Sequence, residues 1–209
     1  MRNNTTITVI VLGAGGHAKV IAESLIQSGY KVSGFITPDL NPGVEFFGSN
    51  ILGDDNFINK FSPNDIVLAN GIGSLPRNDL RYKLAIKMRE RGYKFATIVH
   101  PSAIIASDVE FNEGVQVMAG AVIRSGTRIG RDTIVNTGVL LDHDCNIASN
   151  CHLAPGVVCC GGVTIEEGTH VGTGTMITEN RSIGRKCVIA AGSVIYKDVS
   201  DKINFIQRK

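Results

Sequence analysis

The chain has 209 residues, with 21 Lys and Arg against 19 Asp and Glu, which gives a formal net charge of +2. A charge balance this even, with no Lys/Arg cluster, argues against nucleic acid as a partner. Apolar residues make up 43% of the chain and charged residues 19%, so a sizeable core is available and the composition argues against disorder. No apolar run approaches the roughly 20 residues of a membrane-spanning helix, so membrane insertion is not expected.

The five cysteines and the first residues indicate the compartment. An odd number of cysteines without a C-x-x-C pair favours reduced thiols. The apolar segment 7–14 is short and runs into Gly15-Gly16-His17, so we interpret it as a strand that enters a Gly turn rather than as a signal peptide. We therefore expect a cytoplasmic protein.

Residues 1–96 have the pattern of a small α/β domain. An apolar strand over 6–12 enters the Gly turn, and helical spacing follows from His17 to Ser28. Strands are predicted at 31–37 and 65–71, and an amphipathic helix at 80–91. Strand, helix and strand in that order predict a Rossmann-like domain with a parallel sheet.

The turn VLGAGGHA at residues 11–18 is a candidate binding loop. It departs from the dinucleotide fingerprint G-x-G-x-x-G, because Ala18 stands at the third glycine position. A Gly turn that leads into a helix N-terminus exposes backbone N–H groups to an anion. This favours nucleotide-phosphate binding without redox chemistry, while NAD binding and a purely structural turn stay open.

A six-residue repeat organises the chain from Thr97 onward. All seventeen third places of the consecutive hexads are apolar, from Val99 to Ile195, and chance agreement would be on the order of one in a million. A period of six fits neither a helix face nor plain strand alternation, but it fits a prism of short strands with three hexads per coil. The repeat predicts a parallel β-helix over 97–198 and leaves 199–209 as a C-terminal tail.

His143 is the main catalytic candidate of this half. It lies between Asp142 and Asp144, and a carboxylate beside an imidazole fixes its tautomer and raises its basicity, as a general base requires. Gly161 is one coil further in the same column, about 4.8 Å away, where its N–H could reach a developing oxyanion. A hydrogen-bonded corner residue is the alternative interpretation of His143. The spacing of these residues and Cys145 does not suit a metal site.

GAGGHA at residues 13–18, combined with VNTGVLLDHDC at 135–145, resembles the sialic acid O-acetyltransferase type of hexapeptide-repeat sugar acyltransferase. Within that group the chain is most similar to bacterial nucleotide-linked 4-amino-sugar N-acetyltransferases of the bacillosamine-pathway type. The resemblance covers nearly the whole chain. It implies a left-handed β-helix, a homotrimer with active sites between subunits, and direct acetyl transfer from acetyl-CoA to the C4 amine of a UDP- or GDP-linked 4-amino-deoxy sugar.

The resemblance also implies roles for individual residues, and it implies no metal. His143 matches the general base, Asp144 the acid that raises its basicity, and Gly161 the oxyanion donor. Four further residues match positions along acetyl-CoA: Asn136, His152, Thr173 and Ala191. Four match two nucleotide-sugar loops: Gly15, Gly16, His17 and Gly73. Because His152 is nine residues after His143, the two lie on different walls of one coil, and they could meet only across a neighbouring subunit or around a corner; the resemblance, which assigns both to one acetyl site, favours the neighbouring subunit.

Three other functions stay open. The same site could O-acetylate a sialic-acid-like sugar, and the chain could instead be a non-catalytic nucleotide-binding assembly module or an NAD oxidoreductase. Two departures from the family pattern bear on recognition: Thr37-Pro38 stands where acidic residues are usual, and the end, KINFIQRK, lacks the Gly-x-Pro-Ala-Lys tail. The intact set of Asn136, His143, Asp144 and His152 favours an enzyme.

Overall fold

The structure, a computed structural model, describes residues 8–205. They form two compact units, which divide between Ile98 and Val99. The predicted strand over 6–12 is described from Thr8 onward, and its first two residues lie outside the described part of the chain.

The first unit is an α/β unit built on a five-stranded sheet. Its elements in chain order are β1 (Thr8–Leu12), α1 (Gly16–Gln27), β2 (Lys31–Ile36), β3 (Glu45–Phe46), β4 (Ser49–Gly53), a 3-10 helix (Phe57–Lys60), β5 (Ile66–Asn70) and α2 (Leu80–Glu90). The strand order is β3-β4-β2-β1-β5, and every pairing is parallel except that of β3 with β4. Neither α-helix of residues 8–205 is long and apolar enough to cross a membrane.

The strand order leaves a crevice at one edge of this sheet. Strand β1, which lies between β2 and β5, is buried from Val9 to Leu12, as expected of a parallel strand covered on both faces. From β1 the chain passes through α1 to β2 on one side, whereas β5 pairs with β1 on the other side. The loops after β1 and β5 therefore diverge, and ligands bind at such a topological switch point in open α/β sheets.

The second unit is a parallel β-helix whose two-residue strands form three walls, named here I, II and III. Wall I contains β6 (Ile98–Val99), β9 (Gln116–Val117), β12 (Ile134–Val135), β15 (His152–Leu153), β18 (His170–Val171), β21 (Val188–Ile189) and β23 (Asn204–Phe205). Wall II contains β7 (Ile104–Ile105), β10 (Val122–Ile123), β13 (Leu140–Leu141), β16 (Val158–Cys159), β19 (Met176–Ile177) and β22 (Val194–Ile195). Wall III contains β8 (Glu110–Phe111), β11 (Arg128–Ile129), β14 (Asn146–Ile147), β17 (Thr164–Ile165) and β20 (Ser182–Ile183).

The six-residue period sets both the register and the core of this helix. Strands pair with the strand three hexads later, as Ile123 does with Leu141 and Leu141 with Cys159. The third residue of every hexad from Val117 to Ile195 is buried, and these side chains stack along the inside of the prism. The predicted fold class, an α/β domain followed by a hexapeptide β-helix, is confirmed.

The β-helix continues beyond the predicted end at residue 198. Val199 bridges to Ile183, and β23 pairs with β21 through Val188 and Asn204. Both offsets are sixteen residues rather than eighteen, so the last coil is two residues shorter and the hexad pattern is lost while the wall persists. The expectation of a separate tail over 199–209 is thus corrected as far as Phe205, and 206–209 lie outside the described residues.

Candidate active site

His143 lies at the corner where wall II turns into wall III, between β13 and β14. Its Nδ1 is 2.8 Å from Oδ2 of Asp144, and its backbone N–H donates to Oδ1 of Asp142 at 2.8 Å. Asp144 makes the turn with a φ of +60°, a left-handed conformation that Asp tolerates better than most residues. The corner therefore pairs the imidazole with the Asp144 carboxylate and the backbone N–H of His143 with the Asp142 carboxylate.

The two carboxylates make the imidazole a stronger base. The hydrogen bond to Asp144, followed by the charge of Asp142, raises the pKa of His143 above its ordinary value of 6.5. A carboxylate that accepts from Nδ1–H keeps the proton on that nitrogen, so in the neutral ring Nε2 carries the lone pair. The side chain of His143 is 62% exposed, and a substrate proton can therefore reach Nε2.

Gly161 lies directly beside the imidazole, one coil further along the same corner. A Cβ added there would be 2.6 Å from both Cε1 and Nε2 of His143, so only glycine leaves room for the ring. The N–H groups of Cys160 and Gly162 donate to backbone carbonyls, and the Gly161 carbonyl accepts from Asn180. Within residues 8–205 the Gly161 N–H has no such partner. The structure thus brings a proton acceptor and a vacant N–H donor together.

His152 is not part of this group within one chain. It lies in β15 on wall I, the wall opposite the corner that carries His143. Its Nε2 is 3.3 Å from Nδ2 of Asn136, whose Oδ1 accepts from the Thr137 N–H at 2.8 Å. The structure therefore joins Asn136 to His152 and separates both from His143.

His170 extends this second group. Its ring meets that of His152 edge to face, with 4.7 Å between centroids. Burial lowers the pKa of His170, and its buried Nδ1 lacks a hydrogen-bond partner among the described residues. The two histidines occupy the same hexad place in consecutive coils, and this spacing is the feature of the sequence that indicates their contact.

Thr173 and Ala191 lie in one column at the corner between walls I and II. They are one coil apart, and the Thr173 carbonyl accepts from the Gly192 N–H at 2.8 Å. A Cβ at Gly172 would be 2.5 Å from the Ala191 nitrogen, so the two coils pack backbone to backbone here. Thr137 lies in the same column, and the four residues matched to acetyl-CoA therefore lie along wall I and this corner.

The four residues matched to nucleotide-sugar loops come together in the first unit. Gly15 precedes α1 in an extended conformation, Gly16 begins the helix, and a Cβ added to either would meet nothing within 4 Å. A Cβ at Gly73 would be 3.5 Å from Cβ of His17, so the loop after β5 lies beside the first turn of α1. All four are at the switch point of the sheet, next to the helix N-terminus.

A buried arginine that the sequence does not single out supports the second of these loops. Arg81 is 7% exposed, and its Nη1 donates to the carbonyls of Asn70 at 2.9 Å and Ile72 at 2.7 Å. The Asn70 side chain accepts from the Ile72 N–H and donates to the Arg81 carbonyl. This exchange fixes the backbone that leads to Gly73. Within residues 8–205 no group of three His, Cys, Asp or Glu side chains is placed to hold a metal ion.

Taken together, an α/β unit, a β-helix of hexapeptide repeats and a histidine–aspartate pair at a corner define a hexapeptide-repeat acyltransferase. The model of the PglD N-terminal domain family matches residues 8–88. PerB from Caulobacter crescentus, solved with CoA and GDP-perosamine, is 36% identical over 93% of this chain and 91% of that chain, with a TM-score of 0.84. The chain belongs to the family of hexapeptide-repeat sugar N-acetyltransferases.

Two further solved structures agree with this assignment. A histidine-to-asparagine variant of perosamine N-acetyltransferase from Caulobacter crescentus, with CoA and GDP-perosamine, is 34% identical over 94% of this chain and 91% of that chain, with a TM-score of 0.86. The acetyltransferase domain of PglB from Neisseria gonorrhoeae, with acetyl coenzyme A, is 29% identical over 93% of each chain, also with a TM-score of 0.86. The predicted family is confirmed, and the fold is consistent with its left-handed β-helix.

Proposed function

We propose that this protein transfers the acetyl group of acetyl-CoA to the C4 amine of a nucleotide-linked 4-amino-deoxy sugar. The observation that carries the proposal is the position of the His143 imidazole against Gly161, which sets a basic Nε2 beside a vacant N–H. Solved relatives support it, because they hold CoA with GDP-perosamine or acetyl coenzyme A alone. Structures of the Caulobacter enzyme with one histidine replaced, by asparagine or by alanine, point to a histidine in its reaction.

Each group at the corner has one task in this reaction. Acetyl-CoA supplies an acetyl group activated as a thioester. Nε2 of His143 removes a proton from the C4 amine as its nitrogen bonds to the acetyl carbon, and Asp144 holds the ring and stabilises its positive charge. The Gly161 N–H donates to the carbonyl oxygen while negative charge develops there. The C–S bond breaks, and the CoA thiolate takes the proton from His143.

The remaining matched residues bind the two substrates. Gly15 and Gly16 lie at a helix N-terminus, and a Cβ added to either would meet nothing within 4 Å, so the phosphates of a UDP- or GDP-sugar could approach the backbone there. His17 and Gly73 complete this loop pair. Asn136 and His152 contact the acetyl end of acetyl-CoA, and the backbone at Thr173 and Ala191 follows its arm.

Turnover with a panel of acceptors tests the proposed function. CoA release is measured with UDP- and GDP-linked 4-amino-dideoxy sugars and with sialic-acid-like hydroxy sugars. We expect release with the amino sugars and an amide in the product by mass spectrometry. Acetylation of the hydroxy sugars alone would replace this proposal with O-acetyl transfer. No binding of acetyl-CoA at millimolar concentration would favour a non-catalytic nucleotide-binding module.

We also propose that the active form is a homotrimer with a shared site. His143 lies at the corner of walls II and III and His152 on the opposite wall I, so one acetyl group reaches both only across a subunit boundary. Threefold symmetry gives three equivalent boundaries without an unpaired surface.

Complementation between two inactive variants tests the shared site. A refolded equimolar mixture of His143→Ala and His152→Ala chains should regain roughly a quarter of wild-type kcat, because one boundary in four pairs both intact histidines. Each variant refolded alone is the control. A mixture as inactive as its components, or an active species that sediments as a monomer, would refute the trimer.

A further inference from the structure

Two buried side chains lie directly behind the corner that carries His143 and Gly161. They are Thr127 and Cys145, the first-place residues of successive coils, and both have 0% exposure. The Cys145 N–H donates to Oγ1 of Thr127 at 3.3 Å, which links the two coils at this point. We call this pair the corner latch.

Each latch residue donates to one backbone carbonyl of the corner. Oγ1 of Thr127 donates to the Asp142 carbonyl at 3.1 Å, and Sγ of Cys145 donates to the Cys160 carbonyl at 3.4 Å. The first carbonyl belongs to the peptide group whose N–H is that of His143. The second belongs to the peptide group whose N–H is that of Gly161. Each latch residue therefore holds a peptide that carries one of the two reacting groups.

A hydrogen bond to the carbonyl oxygen of a peptide group changes the donor strength of the N–H in the same peptide group. Hydrogen bonds in a chain polarise one another, so a donor to the Cys160 carbonyl strengthens the Gly161 N–H as a donor. The bond also restrains rotation of the peptide plane, which sets the direction of that N–H. Burial raises the pKa of the Cys145 thiol to about 11, so Sγ keeps its proton at neutral pH and stays a donor.

We propose that Cys145 is a positioning residue of the acetyl-transfer site, whose thiol fixes and polarises the Cys160–Gly161 peptide so that its N–H stabilises the oxyanion. This inference rests on the proposed function, because it assigns a task to Cys145 within the same site. It goes further than filling the core, since an apolar side chain of the same size lacks the donor.

A second latch in the same helix provides a matched control. At the corner between walls III and I, Sγ of Cys187 donates to the Ser200 carbonyl at 3.1 Å, and its N–H donates to Oγ1 of Thr169 at 3.0 Å. Cys187 is also 0% exposed. The peptide that it holds carries none of the proposed catalytic or binding groups, so Cys187→Ala reports the structural effect of losing such a bond.

The experiment compares Cys145→Ala, Cys145→Ser and Cys187→Ala by kcat, the KM for acetyl-CoA and the melting temperature. Loss of one neutral hydrogen bond corresponds to roughly a three- to tenfold change, which we expect in kcat for Cys145→Ala at every pH, with KM little changed. The serine hydroxyl replaces the donor, so Cys145→Ser should keep most of kcat. Cys187→Ala should have wild-type kcat and a lowered melting temperature.

Two results would overturn the assignment of Cys145. One is a kcat for Cys145→Ala equal to that of Cys187→Ala, and the other is a Cys145→Ser variant as slow as Cys145→Ala. If the alanine variant does not fold, Cys145→Val removes the donor while it keeps an apolar side chain. Valine suits this column, because Val163 is the buried first-place residue of the next coil. A wild-type protein that transfers no acetyl group would instead refute the proposed function, and this inference with it.

Discussion

Replacement of His143 by alanine is expected to lower kcat at least about a hundredfold while the protein stays folded. General base catalysis supplies roughly 10² to 10⁴ in rate, and the imidazole of His143 lies directly beside Gly161 at this corner to supply it. The side chain is 62% exposed, so its removal leaves no cavity in the core. Steady-state kinetics give kcat, and circular dichroism with a thermal melt checks the fold.

The control for this variant lies two coils further in the same column. Glu179 is an exposed corner residue without a task in the reaction, and Glu179→Ala should keep wild-type kcat.

The pH profile of kcat adds a second check on His143 as the general base. Because Asp144 raises the pKa of His143, kcat should increase with pH through a value above 6.5, and Asp144→Asn should move that increase to lower pH. A near-wild-type kcat for His143→Ala would contradict the assignment.

Replacement of Gly161 by alanine is expected to reduce kcat about a hundredfold by a different route. The new Cβ would lie 2.6 Å from two ring atoms of His143, so the exposed ring must swing away from its place. A displacement of about 1 Å in a catalytic group costs as much as a hundredfold in rate. The melting temperature should change little, because an exposed side chain moves into solvent at small cost.

Two measurements show whether the ring has moved. In Gly161→Ala, the imidazole loses its hydrogen bond to Asp144, so the NMR-titrated pKa of His143 should decrease toward 6.5. In a His143→Ala background, the same glycine substitution should have little further effect on kcat, because the two changes act through one contact. An unchanged pKa together with full kcat would show that the corner accommodates the methyl group.

The sequence predicts the β-helix well because its determinants are periodic. Apolar third places define the walls, and one coil of three hexads brings Gly161 next to His143 in space. His143 and Asp144 are neighbours in the chain, so their pairing at a corner follows directly. Asn136 and His152 are sixteen residues apart rather than eighteen, and the period alone would not pair them.

The sequence pattern does not predict three features, because each depends on contacts that do not follow the six-residue period. The hydrogen bond from Arg81 to the Asn70 carbonyl forms only in the folded sheet, whereas an arginine in an amphipathic helix is normally exposed. The hairpin of β3 and β4 turns through Phe47 and Gly48, both with positive φ, where Asn-Gly would have been the usual signal. The final coil is two residues shorter than the others, so the six-residue repeat ends before the wall does.

The coil-to-coil spacing has a consequence for how this protein can diverge. His143 and Gly161 are separated by one backbone ladder step, about 4.8 Å, and the Gly162 N–H donates to the His143 carbonyl at 2.9 Å between them. Their distance is therefore set by main-chain hydrogen bonds, which every sequence shares. Exchange of Val, Ile and Leu inside the prism alters stability without altering that distance. Homologues can thus replace most of their interior while the reacting atoms keep their separation.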